Sequence, residues 1–246
     1  MVIVVRIDEE ETAPATLANV IGGVDANTGT YEGVHAFLAS ENITGFVPKI
    51  LIAPGFTHTR TEAVGETPAT SNPVVAELIG IAERLKAVIV ADGPNTNDAD
   101  AIAYSEDFGS KRVFLVDPKV LKSVAGETSQ EWASACVAGL IAKSDNDRGW
   151  WWSPSNQEIN GIVGTARAID FAMGDANCRA NLLNEKNITT IIRQQGYRLW
   201  GNRTLSSDSK WAFLCVVRTA DMIDESLKAA HLWAVDRGIT KTYVSD

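Results

Sequence analysis

Any reaction chemistry would fall to the nucleophiles, bases and acids of the chain. A serine nucleophile needs a tight Gly-x-Ser-x-Gly turn to expose it, plus an orienting histidine and carboxylate. That turn is absent. The densest serine cluster is Ser153-Pro154-Ser155, where the proline favours extended backbone. The three histidines are His35 in a short helical stretch, His58 in a loop and His231 on a long helix face, so a triad is not expected. Phosphate-cradling loops need close glycines leading into a helix. Gly161-Ile162-Val163-Gly164 has the glycines without a strand before it, which suits backbone packing better than a nucleotide. The acidic groups Asp92, Asp98, Asp100 and Asp145, Asp147 lack the ligand spacing of a metal loop, and Asp98 reads as a helix cap. Cys136, Cys178 and Cys215 are odd in number, carry no CxxC spacing and read as buried thiols of a reducing compartment. No catalytic, metal or cofactor site is therefore expected.

Two patches stand out instead. Arg148–Asn156 (RGWWWSPSN) carries Trp150, Trp151 and Trp152 in a row. Neighbouring residues alternate sides in extended backbone, so such a strip suits burial on two faces, as at an element junction or a subunit contact. Ligand stacking is a third reading. Gly196–Thr204 (GYRLWGNRT) interleaves Arg198 and Arg203 with Tyr197 and Trp200. It reads as a strand with one charged and one apolar face, with an anion site as the other possibility. Trp150, Trp151, Trp152, Arg198, Trp200 and Arg203 are thus the candidate packing or interface residues.

These patches need elements to hold them. Val2–Ile7, Lys49–Ala53, Ala87–Ala91, Arg112–Val116 and Ala212–Val217 are apolar runs of buried-strand type. Asn72 and Pro73 mark a helix start, followed by an apolar face of Val74, Val75, Leu78, Ile79, Ala82 and Leu85. Asp98–Asp107 reads as a short helix. Thr128 and Glu131 have the spacing of a capping box, opening a helix with Trp132, Ala135, Cys136, Gly139, Leu140 and Ala142 on one face. Asp175 is read as capping a helix through Leu183, and Gln195-Gly196 as a hairpin turn. Asp221 is read as capping a final helix with Ile223, Leu227, Ala230 and Ala234 inward and Gly238 as its end. Gly22–Gly33 is a glycine-rich loop or hairpin, and 56–71 a surface loop. The pattern predicts an α/β fold with a mostly parallel sheet flanked by helices: one domain over 1–246, with a small insertion within 22–72.

The chain has 246 residues, enough to bury a core without a disulfide or metal. Its apolar fraction of 45% and charged fraction of 22% are those of a globular protein. A net charge of −9 argues against a broad nucleic-acid footprint. No run of 18 apolar residues marks a membrane span.

The second half resembles the contractile tail sheath protein of phages and prophages, nearest the P2-like branch. The resemblance rests on RGWWWSPSN, Gly161–Gly164, Asn181–Asn184 leading into Asn187–Thr190, GYRLWGNRT and the final helix at Ala220–Gly238. VIVVRI, Gly33–Leu38 and Lys49–Gly55 extend it more loosely over the first half. The resemblance implies a subtilisin-like sheath core without a catalytic triad, and no enzymatic activity. It implies subunits in hexameric rings stacked helically around the tail tube, contracting to drive the tube through the host envelope. Neighbours would be linked partly by exchanged strands. Tail tube, baseplate and tail terminator proteins are the implied partners. The implied location is the virion tail, assembled in the host cytoplasm. Against the family pattern the stretch reads as a core fragment without the N-terminal arm and C-terminal domain, expected to be monomeric or weakly associating. From the residues alone, an α/β hydrolase with His58 or His231 as base, or a small-ligand module on the glycine turns, stays open.

Overall fold

Apolar runs with both faces buried assemble the centre of the molecule. A computed structural model describes residues 1–61 and 70–236. In chain order the elements are α1 (Ala13–Ile21), β1 (Gly23–Val24), β2 (Tyr31–Glu32), α2 (Ser40–Thr44), β3 (Ile50–Leu51), α3 (Pro73–Leu85), β4 (Val88–Asp92), α4 (Asp98–Glu106), β5 (Val113–Val116), β6 (Val120–Val124), β7 (Glu127–Glu131), α5 (Ala133–Arg148), β8 (Gly164–Thr165), α6 (Arg179–Glu185), β9 (Ile188–Arg193), β10 (Tyr197–Trp200) and α7 (Leu214–Ala230). Three short 3-10 helices lie at Gly33–Ala39, Ser209–Trp211 and Leu232–Ala234.

The main sheet has the order β10-β9-β5-β4-β3. Its first four strands in the chain pair in parallel, and β10 closes it as an antiparallel hairpin with β9. A second sheet, β7-β6-β8, is antiparallel, as is the β1–β2 pair within the glycine-rich segment. The α/β class is as expected. The sheets taken together are mixed, and the parallel arrangement is confined to β3, β4, β5 and β9.

Successive residues of β4 and β5 point to opposite layers. Ile89 and Leu115 join Leu78 of α3, Tyr104 of α4 and Leu183 of α6 on one side. Val88, Val90 and Phe114 join Val137 and Ile141 of α5 and Val217 of α7 on the other. Helix α3 starts as its sequence dictates, with Asn72 Oδ1 accepting from Val75 N at 3.0 Å. The same side chain donates to the Phe56 and Thr59 carbonyls and so ties down the preceding loop. Gly22 and Gly33 cross so closely that a Cβ on Gly33 would lie 2.5 Å from the Val20 carbonyl oxygen.

Several expectations are corrected. Val2–Ile7 forms no strand and pairs with none among the described residues, leaving Val2 and Val4 exposed and Ile3, Val5 and Ile7 half-buried. Composition marks extended backbone, whereas a strand also needs a partner. Thr128 and Glu131 cap nothing: they lie in β7, turned back onto β6 through Ala125 and Gly126 at positive φ. Helix α5 starts at Ala133 and buries Val137, Leu140, Ile141 and Ser144. Its small residues Ala135, Gly139 and Ala142 instead line a groove of about 850 Å³ beside the N-terminal segment and β3. Asp175 closes a turn on Asn177 N, and α6 begins after Cys178. Asn97, not Asp98, caps α4. Ala212–Val217 is no strand, because α7 starts at Leu214 and runs unbroken through Asp221. Ile223, Leu227 and Ala230 face outward, not inward. Gly238 lies outside the described residues.

Candidate assembly face

The tryptophan run is folded by one glycine. Gly149 holds φ +99°, and a Cβ there would meet the Trp151 ring at 2.5 Å, so only glycine lets the ring lie across the backbone. Trp152 N then donates to the Gly149 carbonyl at 3.2 Å, closing a turn. The strip is therefore not extended, and its rings do not alternate sides. Trp150 and Trp151 meet edge to face with centroids 4.8 Å apart. Trp150 is half-buried, Trp151 is 53% exposed and Trp152 50% exposed, with the Arg148 guanidinium 5.7 Å from the Trp152 ring. Trp150 and Trp151 form one wall of a shallow groove, and Thr219, Met222, Ile223, Ser226, Leu227 and Ala230 of α7 form the other.

Of the other three candidates, Arg198 and Trp200 are half-buried against the body and Arg203 is exposed. Arg198 donates to the backbone carbonyls of Gln194 and Asn156, each at 2.9 Å. It therefore ties β10 to the segment that covers its edge. Trp200 packs edge to face on Phe171 at 4.6 Å, and its indole N–H donates to Asn181 Oδ1. Arg203 lies over Phe213 at 5.3 Å.

Residues of chemical potential are engaged elsewhere. Ser134 is fully buried and donates both N–H and Oγ–H to Asp92, at 2.8 and 2.6 Å. His35 meets Glu77 at 2.9 Å, His58 stacks on Trp132 at 3.9 Å, and His231 Nδ1 meets the Leu227 carbonyl: three separate settings. Burial and the nearby Lys119 hold the His58 imidazole below its ordinary value. Ser155 Oγ accepts from Gly201 N. Gly164 sits in β8, where a Cβ would press on Leu121 at 3.0 Å, in keeping with a packing role. The three cysteines are free, with Cys178 buried. Among the described residues no group of three or more His, Cys, Asp or Glu could hold a metal ion. No helix among them is long and apolar enough to cross a membrane.

The ion clusters escaped sequence reasoning. Arg112, with no exposed surface, chelates Asp221 of α7 and reaches Glu83 of α3 at 3.1 Å. Asp98 takes Arg167 and Arg179, and Arg167 also meets buried Asp117. Burial raises the Asp117 carboxyl against the pull of Arg167. Partners 29 to 109 positions apart leave no local spacing to read.

These features describe a mixed α/β body with an outward apolar face and no assembled reaction centre among the described residues. A family model for the phage tail sheath protein central domain matches residues 29–205. A Pseudomonas aeruginosa (strain UCBPP-PA14) prophage protein named as a major tail sheath protein is 49% identical over 248 residues, covering 100% of this chain and 61% of its own length. The tail sheath protein of Escherichia phage P2 is 35% identical over 244 residues, covering 97% of this chain and 58% of its own. The fold matches a chain of the anti-feeding prophage helical sheath in the contracted state, with TM-score 0.60, 21% identity, and coverage of 96% of this chain and 63% of that one. The chain belongs to the phage tail sheath family. It spans about three-fifths of the length of these relatives.

Proposed function

We propose that the chain is the core of a contractile tail sheath subunit, which polymerises around a tail tube and contracts to drive the tube through a host envelope. The observation that carries this is the central-domain match together with relatives named as tail sheath proteins along the whole chain. Its partners are other sheath subunits in hexameric rings stacked helically, the tail tube, and baseplate and terminator proteins. Its place is the virion tail, assembled in the bacterial cytoplasm. The role is structural, without catalysis or cofactor. The body is read as one unit over 1–246, related in fold to subtilisin, and by itself monomeric or weakly associating.

Trp150, Trp151 and the outer side of α7 suit such an assembly, because an exposed apolar surface of this kind gains free energy only when covered. The test is negative-stain microscopy of tails made with the native tube protein present. Sleeves around the tube are expected. Bare tubes, with this protein expressed and folded, would overturn the reading. A serine-reactive fluorophosphonate should leave the protein unlabelled, since the rival hydrolase predicts labelling lost on mutation of a single serine.

A further inference from the structure

We infer that helix α7 is a strap latched to the body by ion pairs and released as one piece from residue 218 onward. A surface helix ordinarily turns its apolar stripe inward. In α7 only the first turn does so, through Leu214 and Val217, with Leu214 N also donating to the Asn202 carbonyl at 2.9 Å. From there the inward positions carry charge. Arg218 pairs with both carboxylate oxygens of Asp145 on α5. Asp221 is chelated by Arg112, just before β5. Asp224 meets Lys86, just after α3, at 3.2 Å, and Glu225 meets Lys49, just before β3. Beyond Val217 the one buried residue of the helix is Asp221. Of its hydrocarbon beyond that turn, Met222 is half-buried at the Trp150–Trp151 groove, while Ile223 is 56% and Leu227 55% exposed.

An element held this way differs in kind from the sheet it rests on. Partly exposed ion pairs hold weakly and are screened by salt, whereas apolar burial is not. The buried partner is provided for in the open state, because Arg112 keeps Glu83 when Asp221 departs. The Leu214–Val217 turn is the hinge, and 218–230 is the moving part. The latch does not depend on what the chain assembles into.

Hydrogen exchange of the full chain, read by mass spectrometry at one pH in about 0.05 M and about 1 M NaCl, tests this, since the screening length falls roughly from above 10 Å to 3 Å. Peptides within 218–230 should exchange about tenfold faster in high salt while β4 and β5 stay unchanged. Lys86→Met and Glu225→Gln, both at partly exposed pairs, should speed the same peptides in low salt and blunt their salt response. Arg112→Met combined with Asp221→Leu replaces the buried pair by hydrocarbon and should slow them. A helix as protected as β4 at both salt levels, or one that opens only together with the sheet, overturns the proposal. So do single variants that leave its exchange unchanged.

Discussion

Asp92 shows how one side chain can serve an element other than its own. It ends β4, yet it satisfies the first turn of α5, where Trp132 offers no capping side chain. Burial pushes its carboxyl up to about 6, and hydrogen bonds from Ser134 oppose the rise. The folded value thus exceeds the unfolded one. Its contribution is fully present below the ordinary carboxylate value of 3.8 and is lost as pH rises through about 6. Asp98 acts oppositely: the Arg179 hydrogen bond holds it low, so its contribution is present above pH 4 and fades in stronger acid. Urea denaturation from pH 4 to 7 should therefore show wild type losing stability relative to Asp92→Asn by at most about 3 kcal/mol. A constant difference between the two across that range would refute the linkage. Gly33 gives a second residue-scale prediction. At φ +57° and against the Val20 carbonyl, Gly33→Ala should lower stability by about 1–3 kcal/mol in the same assay, where an unstrained Gly→Ala change would raise it.

At the scale of elements, α3 is the clearest case of local chemistry deciding structure. Asn72→Ala removes the cap and both donations to the Phe56 and Thr59 carbonyls, and should cost about 2–3 kcal/mol by thermal or urea unfolding. Asn72→Asp keeps the cap acceptor but sets a buried carboxylate oxygen against the Phe56 and Thr59 carbonyls, so it should cost at least as much. This helix, the β9–β10 hairpin with its Gln195-Gly196 turn, and the strands β4 and β5 were legible because their signals lie within a few residues. Helix α7 was not. Ala212–Val217 is an unbroken apolar run with no period, and such a run fits a buried strand as well as a first helical turn. Ile223 and Leu227 then have the spacing of an inward stripe, and only the body beneath, charged through Arg112, Lys49 and Lys86, turns that stripe outward. β7 misled for a related reason: Thr128 and Glu131 match a helix start, but the positive-φ pair Ala125 and Gly126 settles a hairpin first.

For the whole molecule, the sheath reading and the exposed face make a joint prediction. Ile223→Ser with Leu227→Ser removes hydrocarbon that the body does not use, so unfolding should shift by roughly 0.5 kcal/mol or less. The same pair should reduce recovery of sheathed tails, counted by electron microscopy. A large loss of stability would show that the face is packed in the free chain, and undiminished sheath formation would show that assembly does not use it. The α/β class was legible from alternating apolar runs and helix starts. The mixed character of the sheets was not, since the direction of a short strand is set by the length and path of its connection. Trp150, Trp151 and Trp152 stand out by composition, but the grouping of Trp150 and Trp151 with α7 depends on the Gly149 turn and on a helix some 70 positions away, a separation that no spacing rule spans. The turn also gives the molecule a built-in optical reporter. Two indoles held edge to face at a wet groove emit and are quenched according to what lies over them. On the sheath reading, covering this groove should therefore change the intrinsic emission of these two of the chain's seven tryptophans, with no label attached.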